Sequence, residues 1–198
     1  MLVIGITGNI GNGKSTVCRI LAKLDATIID ADKLGHETYK PYSQAWQEMV
    51  AAIGKDIIKA DGEIDREKLG RIDFSRPDAL ACLNQIVHPK AYRLAEERIE
   101  TCRRQGAKVV ALEATLLIEA GWADLVNKIW LVVASESIVL QRLTPHEEGN
   151  ESQILARLKS QMPAEEKMKY ADELIYNDGN ISQLEASVTE LWHKLRII

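Results

Sequence analysis

Three glycines, one lysine and two hydroxyls fall within nine residues, GNIGNGKST (8–16), directly after the apolar run LVIGIT (2–7). The spacing Gly8-x4-Gly13-Lys14-Ser15 satisfies the phosphate-loop pattern in full. Glycines let the backbone turn its N–H groups inward onto phosphate oxygens, and the helix that follows points its unpaired N–H groups at the same anion. Gly8, Asn9, Ile10, Gly11, Asn12, Gly13, Lys14, Ser15 and Thr16 are therefore the candidate nucleotide contacts. Lys14 is expected at the β- and γ-phosphates of a nucleoside triphosphate, and the Ser15 hydroxyl in the shell of a Mg²⁺ ion. The plain alternative is a glycine-rich turn that happens to hold a lysine. The strand pattern before it and the helix pattern after it argue against that.

A phosphoryl-transfer enzyme also needs a carboxylate near the metal, a base for a hydroxyl acceptor and cations for the transferred group. IIDAD (28–32) offers Asp30 and Asp32 at a strand end, where open α/β sheets bind their ligands; either could instead cap the next helix. VVALE ends in Glu113, a second strand-end acid suited to ordering metal-bound water. Glu119, further on in the same segment, is either a further candidate acid or a solvated helix residue, the commoner fate of a glutamate. Arg142 and Arg157 are candidate phosphate cations or ordinary exposed arginines, and His88, before Pro89, is a lone histidine of the usual structural kind.

Elements able to position these groups are visible in the hydrophobic pattern. LVIGIT (2–7), KVVALE (108–113) and KIWLVVA (128–134) are continuous apolar runs, with shorter ones at ATIID (26–30) and ELIY (173–176). Continuous runs suit strands of a parallel sheet covered on both faces. Helical spacing covers Lys14 to about Lys23, 78–104, 151–161 and 181–196, with a predicted break near His88–Pro89 because proline disfavours helix before it. Strands alternating with helices give an α/β class. The mostly helical stretch from about 34 to 100 is too long for a simple crossover and reads as an insertion.

Bulk properties narrow the class further. The net charge of −4 predicts no general attraction to nucleic acid or membrane, so an anionic ligand must be drawn by a local site. No apolar stretch reaches the roughly 18 residues of a membrane span. The chain opens on a strand pattern with no basic leader region. Its three cysteines, Cys18, Cys82 and Cys102, suit buried free thiols in a cytoplasmic protein.

The motifs together resemble the dephospho-coenzyme A kinase family. TGNIGNGKST (7–16), IDADKLGHE (29–37), GEIDREKLG (62–70), FSRPDALACLNQIVHP (74–89), LLIEAGW (116–122), SQMPAEEKMKYAD (160–172) and YNDGN (176–180) follow the family's order along almost the whole chain. The resemblance implies a three-layer P-loop kinase fold with a parallel sheet of about five strands, a helical substrate-binding subdomain and a small lid. It implies a core of about 1–33, 105–140 and 165–198, a coenzyme A-binding insertion of about 34–104 and a lid of about 141–164. The activity implied is ATP-dependent phosphorylation of the ribose 3′-hydroxyl of dephospho-coenzyme A, with Mg²⁺; separately, the chain is expected to be a monomer. On matching positions, Asp32 becomes the base and Arg142 the lid arginine at the phosphates. His88 then lies on the acceptor side, Asn177 near the adenine, and Glu113 beside the metal. Departures from the common bacterial pattern are Glu113 for aspartate, Thr115 for proline, His146 for a lid arginine beside Pro145, and Asn9 and Asn12 for glycine and serine.

Two other readings remain. One is another small-molecule or nucleoside monophosphate kinase on the same core; a monophosphate acceptor needs arginines to hold its phosphate, and residues 34–65 contain none. A guanine-nucleotide switch needs an N/T-K-x-D base-reading motif, and the nearest sequence, Asn127-Lys128-Ile129-Trp130, lacks the aspartate.

Overall fold

The computed structural model describes residues 1–65, 68–69, 77–144 and 151–195. The chain forms two compact units, one of residues 1–30 with 98–198 and one of residues 31–97.

The first unit is built on a five-stranded sheet of β1 (Leu2–Thr7), β2 (Thr27–Asp30), β3 (Val109–Glu113), β4 (Lys128–Val133) and β5 (Glu173–Tyr176). The strand order is β2-β3-β1-β4-β5, and every pairing is parallel. The sheet therefore matches the α/β expectation. The central strands are buried almost throughout, as their continuous apolar runs predict. β2 and β5 differ from that reading: as edge strands they are buried only in part, with Leu174 and Tyr176 exposed.

Helix α1 (Lys14–Lys23) follows the glycine-rich loop with Gly13 as its N-cap in a left-handed conformation. Its Val17, Cys18, Ile20 and Leu21 join Ile4, Ile6, Ala111, Trp130 and Val132 of the sheet in one apolar core. A late helix, Ile181–Lys194, adds Leu184 and Val188 to that core. It starts on a reciprocal cap: Asn180 accepts from the Gln183 N–H and Gln183 accepts from the Asn180 N–H, each at 3.0 Å.

The second unit holds α2 (Ala31–Thr38), α3 (Gln44–Ile53) and most of α4 (Pro77–Arg104). Tyr39, Ala45, Met49, Ile57, Ile64, Leu69 and Leu83 form its own core. Helix α4 corrects the expected break, because it runs through Pro89 without interruption. Proline there removes the donor that the Gln85 carbonyl would otherwise receive. The Lys90 ammonium, which also pairs with Glu48, donates to the neighbouring Ile86 carbonyl at 3.3 Å. Burial of Leu83, Ala91, Ala95, Ile99 and Cys102 along the helix outweighs the lost bond. Among the described residues no helix is long and apolar enough to cross a membrane.

Candidate active site

The turn after β1 is held by geometry that only glycine tolerates. Gly8 has φ +143°, and a Cβ there would stand 2.3 Å from the Val132 carbonyl oxygen. Gly13 has φ +95°, and its Cβ would stand 2.2 Å from Asn177 Nδ2. Backbone therefore approaches backbone and side chain more closely than any substituted residue allows.

Polar side chains then pin the turn. Lys14, only 8% exposed, donates from Nζ to the Gly8 carbonyl at 2.9 Å and to the Asn9 carbonyl at 3.2 Å. Its charge is thus folded back over the loop that would receive a phosphate. Asn12 donates to the Val132 carbonyl at 2.8 Å, and Asn177 donates to the Asn12 carbonyl at 2.7 Å. Arg142, in the last turn of α5 (Glu136–Leu143), donates to the Asn177 carbonyl at 2.7 Å and the Gly11 carbonyl at 3.4 Å. The two loop asparagines that depart from the common pattern thus direct their amide groups at carbonyls outside the loop, Asn9 at Met162 and Asn12 at Val132. Four residues named from sequence, Asn12, Lys14, Arg142 and Asn177, are joined in this way around one turn.

Acidic groups stand at the strand ends of the same unit. Asp30 and Glu113 are register partners on β2 and β3. The Cys18 thiol of α1 hydrogen-bonds the Glu113 carboxylate; burial, with Glu113 and Asp30 adding to it, pushes that thiol far above its ordinary value of 9.0 despite the opposing charge of Lys14. Ser15 is exposed at the start of α1, where the helix dipole favours an anion. Among the described residues no group of three or more His, Cys, Asp or Glu forms a metal cage. One hydroxyl and strand-end carboxylates instead fit a hard cation that takes its other ligands from phosphate and water.

Asp32 and His88 belong to the second unit. Asp32 is in the first turn of α2, and His88 is half-buried on α4, where burial lowers its pKa below 6.5. The two helices meet beside these residues: a Cβ on Gly35 would contact Val87 at 3.8 Å. Arg157 lies in the last turn of α6 (Glu151–Lys159). Pro145 and His146 lie outside the described residues.

Other relationships were not read from sequence. Glu119, expected to be solvated, forms a 2.9 Å ion pair with the fully buried Lys167 of α7 (Ala164–Met168). Gln161 accepts from the Ile10 N–H at 3.0 Å. The signal was present in SQMPAEEK, but a lysine inside a charged run gives no sign of burial.

A sequence model of the family described as dephospho-CoA kinase matches residues 2–183. The chain belongs to the dephospho-CoA kinase family. Dephospho-CoA kinase of Geobacter metallireducens is 46% identical over 192 residues, covering 97% of this chain and 96% of that protein. The crystal structure of TT1252 from Thermus thermophilus superposes with a TM-score of 0.79 at 33% identity, covering 98% of this chain and 97% of the other. Dephospho-CoA kinase from Campylobacter jejuni gives a TM-score of 0.71 at 26% identity, with 98% and 96% covered. Membership in the dephospho-CoA kinase family agrees with the fold and with the motif order along the chain.

Proposed function

We propose that this chain transfers the γ-phosphoryl group of ATP to the ribose 3′-hydroxyl of dephospho-coenzyme A, giving coenzyme A and ADP. The observation that carries the reading is a match to dephospho-CoA kinases over nearly the whole chain, in a protein whose glycine turn is pinned around a buried lysine. In the reaction, the 3′-oxygen forms a bond to the γ-phosphorus as the bond from that phosphorus to the β–γ bridging oxygen breaks. The proton of the hydroxyl passes to the Asp32 carboxylate. Lys14 and Arg142 hold the phosphate charge as it moves to the leaving ADP.

Loop amides and the N-terminus of α1 bind the triphosphate, Thr16 adds a hydroxyl at its α-phosphate side, and Asn177 lies on the adenine side. Ser15, with Glu113 acting through water, would hold a Mg²⁺ ion, which would supply charge neutralisation when bound. Residues 34–104 are assigned to coenzyme A binding with His88 on the acceptor side, and 141–164 to a lid.

The test is ADP release with dephospho-coenzyme A beside AMP, CMP and pantothenate. Turnover is expected with dephospho-coenzyme A alone, and equal turnover with any other acceptor would overturn the assignment. Asp32→Asn is expected to lower kcat by roughly 10²- to 10⁴-fold with ATP binding retained.

A further inference from the structure

One buried charge has no part in the chemistry assigned above. Lys167 has a fully buried side chain, and its ammonium donates to the Thr115 carbonyl at 2.9 Å while pairing with Glu119 Oε1 at 2.9 Å. Glu119 lies in a turn whose preceding residues, 115–118, are half-buried or buried, and its side chain keeps only 20% exposure. An ion pair taken out of water gains little net stability, because desolvation offsets the attraction. Its value lies in what it holds in place.

The same Glu119 oxygen accepts the backbone N–H of Met162 at 3.2 Å. Residues 161 and 162 in turn grip two consecutive residues of the phosphate loop. Gln161 Oε1 accepts the Ile10 N–H at 3.0 Å, and the Met162 carbonyl accepts from Asn9 Nδ2 at 3.4 Å. A continuous chain of contacts therefore runs from a buried lysine to the loop, and it reaches the loop at Asn9 and Ile10. Thr7, at the end of β1, touches the same anchor: its hydroxyl donates to the Thr115 carbonyl at 3.4 Å.

We propose that Gln161 is a positioning residue for the phosphate loop, and that the Lys167–Glu119 pair fixes the segment that carries it. Held by Gln161, whose side-chain oxygen takes up the Ile10 N–H, the loop backbone is ordered at Ile10 before nucleotide arrives. An unheld loop must be ordered at the moment of binding, and that cost falls on affinity. The contact thus acts on ATP binding and leaves the transfer step alone. This deepens the kinase reading and rests on it for the nucleotide.

Gln161→Met keeps the side-chain length and removes the acceptor. The Kd of a non-hydrolysable ATP analogue with Mg²⁺, and the KM for ATP, are expected to rise roughly five- to tenfold, the worth of one net hydrogen bond. The kcat with dephospho-coenzyme A should stay within about twofold, and the thermal midpoint within about 4 °C, since the contact is a loop bond outside the core. Replacing both members of the pair, Glu119→Gln with Lys167→Met, leaves no bare buried charge and should raise the analogue Kd as well. Adding Gln161→Met to that double variant should then change little, because the effects share one route. An unchanged Kd in Gln161→Met, fully additive effects, or a parallel fall in kcat and thermal stability would each overturn the proposal. Wild-type protein that binds the analogue but leaves dephospho-coenzyme A unphosphorylated would sink the acceptor assignment instead, and the Kd comparison would still decide the role of Gln161.

Discussion

Asn177 Nδ2 donates to the carbonyl of Asn12 at 2.7 Å, although 165 positions separate them in the chain. Both side chains are almost fully buried, and Asn177 also accepts from Arg142 through its own carbonyl. The residue just past β5 thus closes the phosphate loop from the far end of the chain. Asn177→Ala leaves the Asn12 carbonyl without this donor. Unfolding in urea should show a loss of about 1–3 kcal/mol, the usual cost of an orphaned buried polar group, together with weaker ATP binding. Wild-type values for both would make the bond incidental.

Lys14 is the loop's charge as well as its brace, through the Gly8 and Asn9 carbonyls. Lys14→Met is expected to lower kcat by at least roughly 10²-fold, as loss of a transition-state cation does. Lys14→Arg should fail to restore it, since a site only 8% exposed has no room for a planar guanidinium. Steady-state rates at saturating ATP separate these outcomes; recovery of activity with arginine would count against the tight fit.

His88 gives the protein a pH dependence of known sign. Burial disfavours the imidazolium, so the folded value lies below the ordinary 6.5. In the window between the folded value and 6.5 the unfolded chain binds more protons, and stability rises with pH there. The contribution of His88 is constant above about pH 6.5, falls as pH drops through that window, and is flat below it. Urea titrations of wild type and His88→Gln at pH 7.5 and 5.5 check this, with the variant losing less stability on acidification. An equal loss in both would remove His88 as a source.

Cys18 should behave as an inert thiol. Its side chain is 3% exposed, and burial beside Glu113 and Asp30 keeps it protonated. Native protein treated with a thiol reagent at pH 8 should be labelled first at the half-buried Cys82, with Cys18 reacting only on unfolding. Mass mapping after partial labelling reads the order directly. Prompt native labelling of Cys18 would show that the core face of α1 opens to solvent.

Much of the fold was legible because its signals are local. The five strands follow from short apolar runs, and α1 was read to its observed bounds, Lys14–Lys23, from apolar spacing after a glycine turn. The phosphate loop was legible for the same reason: all nine of its residues are contiguous. Pro89 misled where a local rule met tertiary packing, since burial along one face of α4 carries the helix through a residue that normally ends one. The edge positions of β2 and β5 were hidden as well, because a strand's place in the sheet is not written in its own residues.

By itself, the sequence determined the α/β class, the glycine turn with its lysine, and the motif order that the family shares. Tertiary structure alone decided which residues brace that turn. The order β2-β3-β1-β4-β5 sets β4 beside β1 and β5 beside β4, and this brings Val132 and Asn177 to Asn12. It also decided that Glu119 serves a buried lysine, when its position in the chain suggested solvent. The physical reason is the same in each case. A hydrogen bond or ion pair between residues tens to hundreds of positions apart has no period and no spacing, and exists only once the sheet has set its ends in place.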